Sequence, residues 1–220
     1  MSGMVDRGVQ AAMTLQNSAD PFGQWEAMLT PEVVRGRLIR SGLFSLGYEL
    51  LESAVIGRLR DFYADFTDCE LRPGGDYRKA VLALDPKGDG DALRASLAWL
   101  VDSDVISEED RNAFWRIKAA RNDVAHDLAQ IVGGSKPESF DQLFGDMLRL
   151  LNQIQRWWVI NFDAATDPAW DGVEIDPEEV THGTSMIMQI LVDVALGDED
   201  LAGQHLRLFQ AELKNRQPPT

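Results

Sequence analysis

The spacing of apolar residues between positions 140 and 158 constrains the fold more than any other feature of this chain. Phe140, Phe144, Met147, Leu151, Ile154 and Trp158 follow one another in steps of 4, 3, 4, 3 and 4. Such steps hold side chains on one face of an α-helix and give the seam through which helices of a bundle pack. The same spacing recurs upstream in Phe44, Tyr48, Leu51, Val55, Phe62 and Phe66. That helix is expected to start at Thr30, an N-cap, with Pro31 in the first helical position and Gly42 and Gly47 as places where it kinks or breaks. Leu93, Leu97 and Leu100 mark a third helical face. No stretch of six or more residues alternates apolar with polar side chains, so strands are not expected. The fold class predicted is all-α: a bundle of about five to seven helices.

Breakers divide the pattern. Pro73, Gly74 and Gly75 predict a turn over 72–76, followed by a short helix around 77–84 and a loop over 85–91. Ser107 with Asp110 three residues on resembles a capping box and opens a helix expected to reach about Val132, where Gly133 and Gly134 end it. Pro137 opens the helix that carries the seam, which is expected to stop before Asp167 and Pro168. An acidic connector over 170–177 leads to helices over 178–196 and 199–216, the last capped by Asp198, and a tail over 217–220. The expected organisation is an N-terminal extension (1–29), a helical bundle (30–166) and an acidic helical extension packed on it (167–220).

Composition narrows the function classes. The single cysteine, Cys69, forms no intramolecular disulfide, which fits a cytoplasmic protein. No apolar run approaches the roughly 18 residues of a membrane span, so no membrane partner is expected. Three histidines and one cysteine leave too few ligands for a zinc site of that type, and no metal or cofactor is expected. The formal charge is −15, unevenly spread. Residues 157–206 hold eleven acids and no Lys or Arg, while the remainder is nearly balanced at twenty-five acids against twenty-one bases. The acidic third reads as a solvated surface lying away from any phosphate-binding cleft.

Several local patterns fail as sites. The 85–91 loop places Asp85, Asp89 and Gly90 where a calcium loop would, but Lys87 and Ser96 fall on required ligand positions. Gly133-Gly134-Ser135-Lys136 lacks the spacing of a phosphate loop. His182 and His205 are isolated and read as surface or capping residues, and the six tryptophans as core or interface anchors. Glu49 and Glu52 are either a paired-acid site or a solvent-facing edge.

One helix resists a purely structural reading. Its apolar seam is Phe114, Ile117, position 121, Val124, Leu128 and Ile131, and position 121 is Arg. A guanidinium at a core position costs several kcal/mol by order of magnitude unless paired or solvated. Arg121 therefore either pairs with an acid such as Glu49 or Glu52, or lines a site. Asn122 and His126 lie roughly 40° apart around the axis, whereas Arg121 and His126 lie roughly 140° apart. Arg121 and His126 converge only through a helix distortion or a second copy of the chain.

The stretch Arg121-Asn122-Asp123-Val124-Ala125-His126 resembles the signature of the HEPN superfamily: an Arg, a polar residue after it, and a His following within a short helical interval. The resemblance spans about 33–162. It implies a helical bundle that dimerises with two motifs facing each other. It also implies a metal-independent endoribonuclease of the toxin or antiviral-defence kind, with RNA as substrate and an antitoxin or other protein as possible partner. On that reading His126 is the general acid or base, Arg121 stabilises phosphorane charge, Asn122 positions, and Arg116 and Lys118 bind substrate. Other members of the superfamily have lost catalysis and serve as regulatory or protein-interaction modules, as the mannitol operon repressor family does with a similar Arg-Asn and Ala-His stretch.

Overall fold

The computed structural model describes residue 26 and residues 29–67, 70–126, 140–197 and 199–216. The chain is an all-α helical bundle. Its axis is α1 (Pro31–Phe62), a continuous helix of 32 residues. It runs unbroken through Gly42 and Gly47. Gly47 is instead a point of close approach, because a Cβ there would overlap Met147 Cε and meet Met188 Cε. Thr30 holds the N-cap position in extended conformation, but its hydroxyl donates backwards to the Glu26 carbonyl at 2.8 Å instead of capping the helix.

The expected extension of α1 to Phe66 is corrected by the structure. The helix ends at Phe62, and β1 (Ala64–Thr67) pairs antiparallel with β2 (Glu70–Pro73), Ala64 opposite Pro73 and Thr67 opposite Glu70. Part of the expected 72–76 turn is thus strand. The β-branched and aromatic residues here are too few to declare a strand by alternation, and Phe66 also fits a helical step. Helix α2 (Gly75–Ala80) and a 3-10 turn (Leu82–Leu84) follow, where one helix was expected.

Asp85 organises the next loop. Its buried carboxylate accepts from the backbone N–H of Asp91 at 3.0 Å and from Arg94 Nε and Nη2 at 2.9 and 3.1 Å. Gly88 and Gly90 both have positive φ, 71° and 75°, which side-chain-bearing residues rarely adopt. Asp91 then caps α3 (Ala92–Asp102) by accepting from the Arg94 N–H at 2.8 Å. Helix α4 (Glu108–His126) opens on a reciprocal capping box. Ser107 Oγ accepts from the Asp110 N–H at 3.1 Å, and Asp110 Oδ2 accepts from the Ser107 N–H and hydroxyl. Arg149 donates to the other Asp110 oxygen at 2.8 Å, joining α4 to α5.

Helix α5 (Phe140–Trp158) carries the seam read from the sequence. Phe140, Met147, Leu151, Ile154 and Trp158 are buried, and Phe144 is half-buried against the same core. The helix then widens into a π-turn over Val159–Asp163. At this end Trp158 stacks on Trp99 with ring centroids 6.0 Å apart, and Phe62 and Phe162 meet it edge-on or tilted. The aromatic anchoring is partial, since Trp115 and Trp170 are exposed.

Helix α6 begins at Gly183 and runs to Leu196, not from residue 178, because His182 Nδ1 caps it by accepting from the Thr184 N–H. It packs on α1 and α5, with Met188 fully buried. Helix α7 (Glu199–Arg216) rests on α6 through a His205–Asp193 bond of 3.0 Å. Most of the expected N-terminal extension over 1–29 (all but residues 26 and 29), Cys69, the Gly133-Gly134 stop, Pro137, the Asp198 cap and the tail over 217–220 lie outside the described residues. No described helix is long and apolar enough to cross a membrane.

Candidate functional site

The C-terminal end of α4 faces the middle of α1. Phe114, Ile117 and Val124 are buried as their spacing requires. Arg121 stands at the edge of that face, about a third exposed, and its Nη2 donates to Glu49 Oε1 at 2.6 Å. The guanidinium carbon also lies 5.4 Å from the centre of the Tyr48 ring. Of the two acids that sequence reasoning offered as partners, Glu49 takes the ion pair, and Glu52 accepts the Tyr48 hydroxyl at 2.9 Å. Burial and that hydrogen bond push the Tyr48 hydroxyl above the ordinary phenol range, so it stays a protonated donor. The ring is packed from behind by Phe114, 6.0 Å between centroids. Tyr48, Glu49, Glu52 and Arg121 thus form one cluster. The part of Tyr48 in it could not be seen from spacing, which marks that residue only as core.

Asn122 is exposed, one residue further around the helix. His126 is the last residue of α4, and its side-chain placement lies outside the described residues. The two residues expected to bind substrate are not brought together. Arg116 lines a groove between α4 and α5 with Asp123, Gln142 and Asp146. Lys118 lies on the other flank, 5.6 Å above the Trp115 ring. Arg116 and Lys118 are about 160° apart around the axis. Neither shares a face with the other, and two carboxylates accompany Arg116.

The chemistry available at this end of α4 is therefore dominated by acid–base pairs already made. An anion approaching Arg121 has to displace Glu49, and one approaching Arg116 meets Asp123 and Asp146. Among the described residues there is no cluster of three or more His, Cys, Asp or Glu arranged to hold a metal ion. The loop over 85–91 has the Asp85 carboxylate turned onto Arg94, and that ion pair holds Asp85 well below the usual carboxylate range.

Two acids of the C-terminal third meet the far half of α1 and α5. Asp163 pairs with Arg58, and Glu178 with Arg156 at 3.3 Å. No family model matches this chain, and no curated protein and no solved structure matches it either.

Proposed function

We propose that this chain is a catalytically silent HEPN-like module that binds a protein partner through the motif-bearing end of α4, in the cytoplasm and as a homodimer. The observation that carries this reading is the engagement of Arg121. A guanidinium that stabilises a phosphorane needs free donors aimed at the scissile phosphate. Here the Nη2 donor is held at 2.6 Å by Glu49 and the guanidinium lies over Tyr48. The acidic neighbours Glu49 and Glu52 make the same surface unfavourable for a polyanion. They suit a partner that presents basic side chains.

The second reading, a metal-independent endoribonuclease acting as a toxin or in antiviral defence, draws on a different observation. Arg121 keeps a third of its side chain accessible and Asn122 is exposed beside it. RNA binding that displaces Glu49 would free the guanidinium, with His126 of either copy as proton acceptor. Incubation of the purified chain with total RNA, with and without EDTA, separates the readings. The silent module leaves RNA intact in both. Cleavage that survives EDTA and disappears in both Arg121→Ala and His126→Ala would replace it with the ribonuclease.

A further inference from the structure

A small cavity lies where the first turn of α6 meets α1 and the end of α5. Its volume is about 230 Å³, roughly the share of eight waters in the liquid. On α1 its wall is a face of small residues, Ser53, Ala54 and Gly57. Leu50 and Trp158 add apolar surface, and Arg58, Asp61 and Asp163 bring charge. The π-turn explains how Asp163 comes to be there. Residues five apart lie about 140° apart around an α-helix, but nearly above one another where bonding runs from i to i+5, so the wider turn brings Asp163 to the side of Trp158. None of Tyr48, Glu49, Glu52 and Arg121 lines the cavity, so it stands apart from whether the motif cleaves RNA.

The walls are rich in donors. Trp158 is 3% exposed, and its indole N–H is buried with no hydrogen-bond partner in the protein. A buried donor left unpaired is costly, and this ring is not free to turn away, since Trp99 stacks on it and the Arg58 guanidinium lies 5.6 Å from its centre. The first turn of α6 adds more. His182 Nδ1 accepts the Thr184 N–H and the His182 carbonyl accepts the Met186 N–H, which leaves the Gly183 and Ser185 N–H groups with no acceptor in their own helix. Because Nδ1 accepts, the His182 ring carries its proton on Nε2, a further donor. Gln155 is buried in the wall with its amide oxygen taken by the Ser185 hydroxyl at 2.6 Å, so its nitrogen is the end that donates. Such walls call for an acceptor oxygen.

Charge decides which kind. Arg58 is already paired with Asp163, and Asp61 stands exposed at the mouth. One guanidinium against two carboxylates leaves the lining negative, and the α6 N-terminus offsets only about half a charge of that, so a carboxylate is disfavoured. An amidinium or ammonium suits the acids but gives the Trp158 N–H nothing to bond. A neutral amide meets both demands, with an oxygen for the donors and N–H groups for the acids. We infer that this cavity is a binding site for a small uncharged amide, whose carbonyl oxygen accepts from the Trp158 indole N–H and the first turn of α6.

Benzamide, benzoate and benzamidinium share a shape and differ in charge, so together they test the site and its ligand class. In the nitrogen–proton correlation spectrum of the full chain, the indole N–H resonance absent from Trp158→Phe belongs to Trp158. Benzamide, titrated to about 20 mM as suits so small a ligand, is expected to move that resonance saturably, with benzoate and benzamidinium at least about tenfold weaker. Gly57→Leu and Ser53→Leu each put a side chain into the cavity. A Cβ on Gly57 comes only to 3.4 Å from Ser53 Oγ, so the helix tolerates it. Both variants are expected to keep the helical circular dichroism and to weaken benzamide at least about tenfold. No saturable movement with benzamide overturns the site, and so does binding that either folded variant leaves intact. Benzoate or benzamidinium bound as tightly as benzamide overturns the assignment to an uncharged ligand.

Discussion

At the scale of single residues, two arginines show how a half-buried cation is accommodated. Arg94 closes on Asp85, whose carboxylate also collects the Lys87 and Asp91 N–H groups. That carboxylate titrates below its ordinary range, chiefly because Arg94 bonds its charged form. The pair therefore contributes stability that is present above the unfolded carboxylate range, near pH 4, and is lost as pH falls through the depressed folded value. Asp85→Asn is expected to lower the thermal midpoint at pH 7 and to make it less sensitive to acid between about pH 4 and 2 than in the wild type. Thermal melts across that range, read by circular dichroism, check it. An equal loss with acid in both proteins would show that Asp85 is not the titrating group. The loop was legible in sequence only as a failed calcium site, because nothing in local spacing says that Arg94, nine residues on, takes the place of the cation. Arg121 was more legible. Its position on an apolar seam already required a partner or a site, and Glu49 and Glu52 were the acids in reach. Which of the two would pair, and that Tyr48 would lie beneath the guanidinium, depended on how α1 turns toward α4.

At the scale of elements, the helices with unbroken heptad-like seams were readable almost to the residue. The buried line of α5 is the line its sequence spells, and Ser107 and Asp110 make the reciprocal bonds their spacing promised. The misreadings fall where two local solutions have similar free energy. Residues 64–67 and 70–73 pair their backbone groups as antiparallel strands, and the apolar steps that suggested a longer helix are few there. Gly47 illustrates the same limit. From sequence a mid-helix glycine reads as a weak point, costing about 1 kcal/mol relative to Ala. In the fold it lets α5 and α6 approach, with Met147 and Met188 occupying the space a side chain would need. Gly47→Leu is expected to destabilise the protein by about 1–3 kcal/mol through overpacking. Gly47→Ala is milder, because the Met147 thioether end can shift and helix propensity improves. Denaturant unfolding of both variants checks the order, and a Leu variant as stable as the wild type would contradict the close packing of α1 with α5 and α6.

At the scale of the whole molecule, charge and apolar surface are segregated along one long helix. The N-terminal turns of α1 carry Arg35, Arg37 and Arg40, and Asp163 of the acidic third pairs with Arg58 near the other end. The sequence made the acidic third plain, but not that α6 packs back along α1 with Met188 against Gly47, since that requires knowing which faces the neighbours cover. We propose that Arg121 is a structural residue, closing α4 onto α1 through Glu49 and Tyr48, and not a group held ready for phosphate. A double-mutant cycle with Glu49→Ala, Arg121→Ala and the double variant, read by denaturant unfolding, tests it most directly. For a partly exposed ion pair over an aromatic ring, Arg121→Ala is expected to cost about 1 kcal/mol. The coupling to Glu49 is expected to be about 0.5 kcal/mol and to shrink at high salt. Additive single effects with no coupling, or an Arg121→Ala variant more stable than the wild type, would contradict the claim and mark Arg121 as a residue held in place for function at the expense of stability.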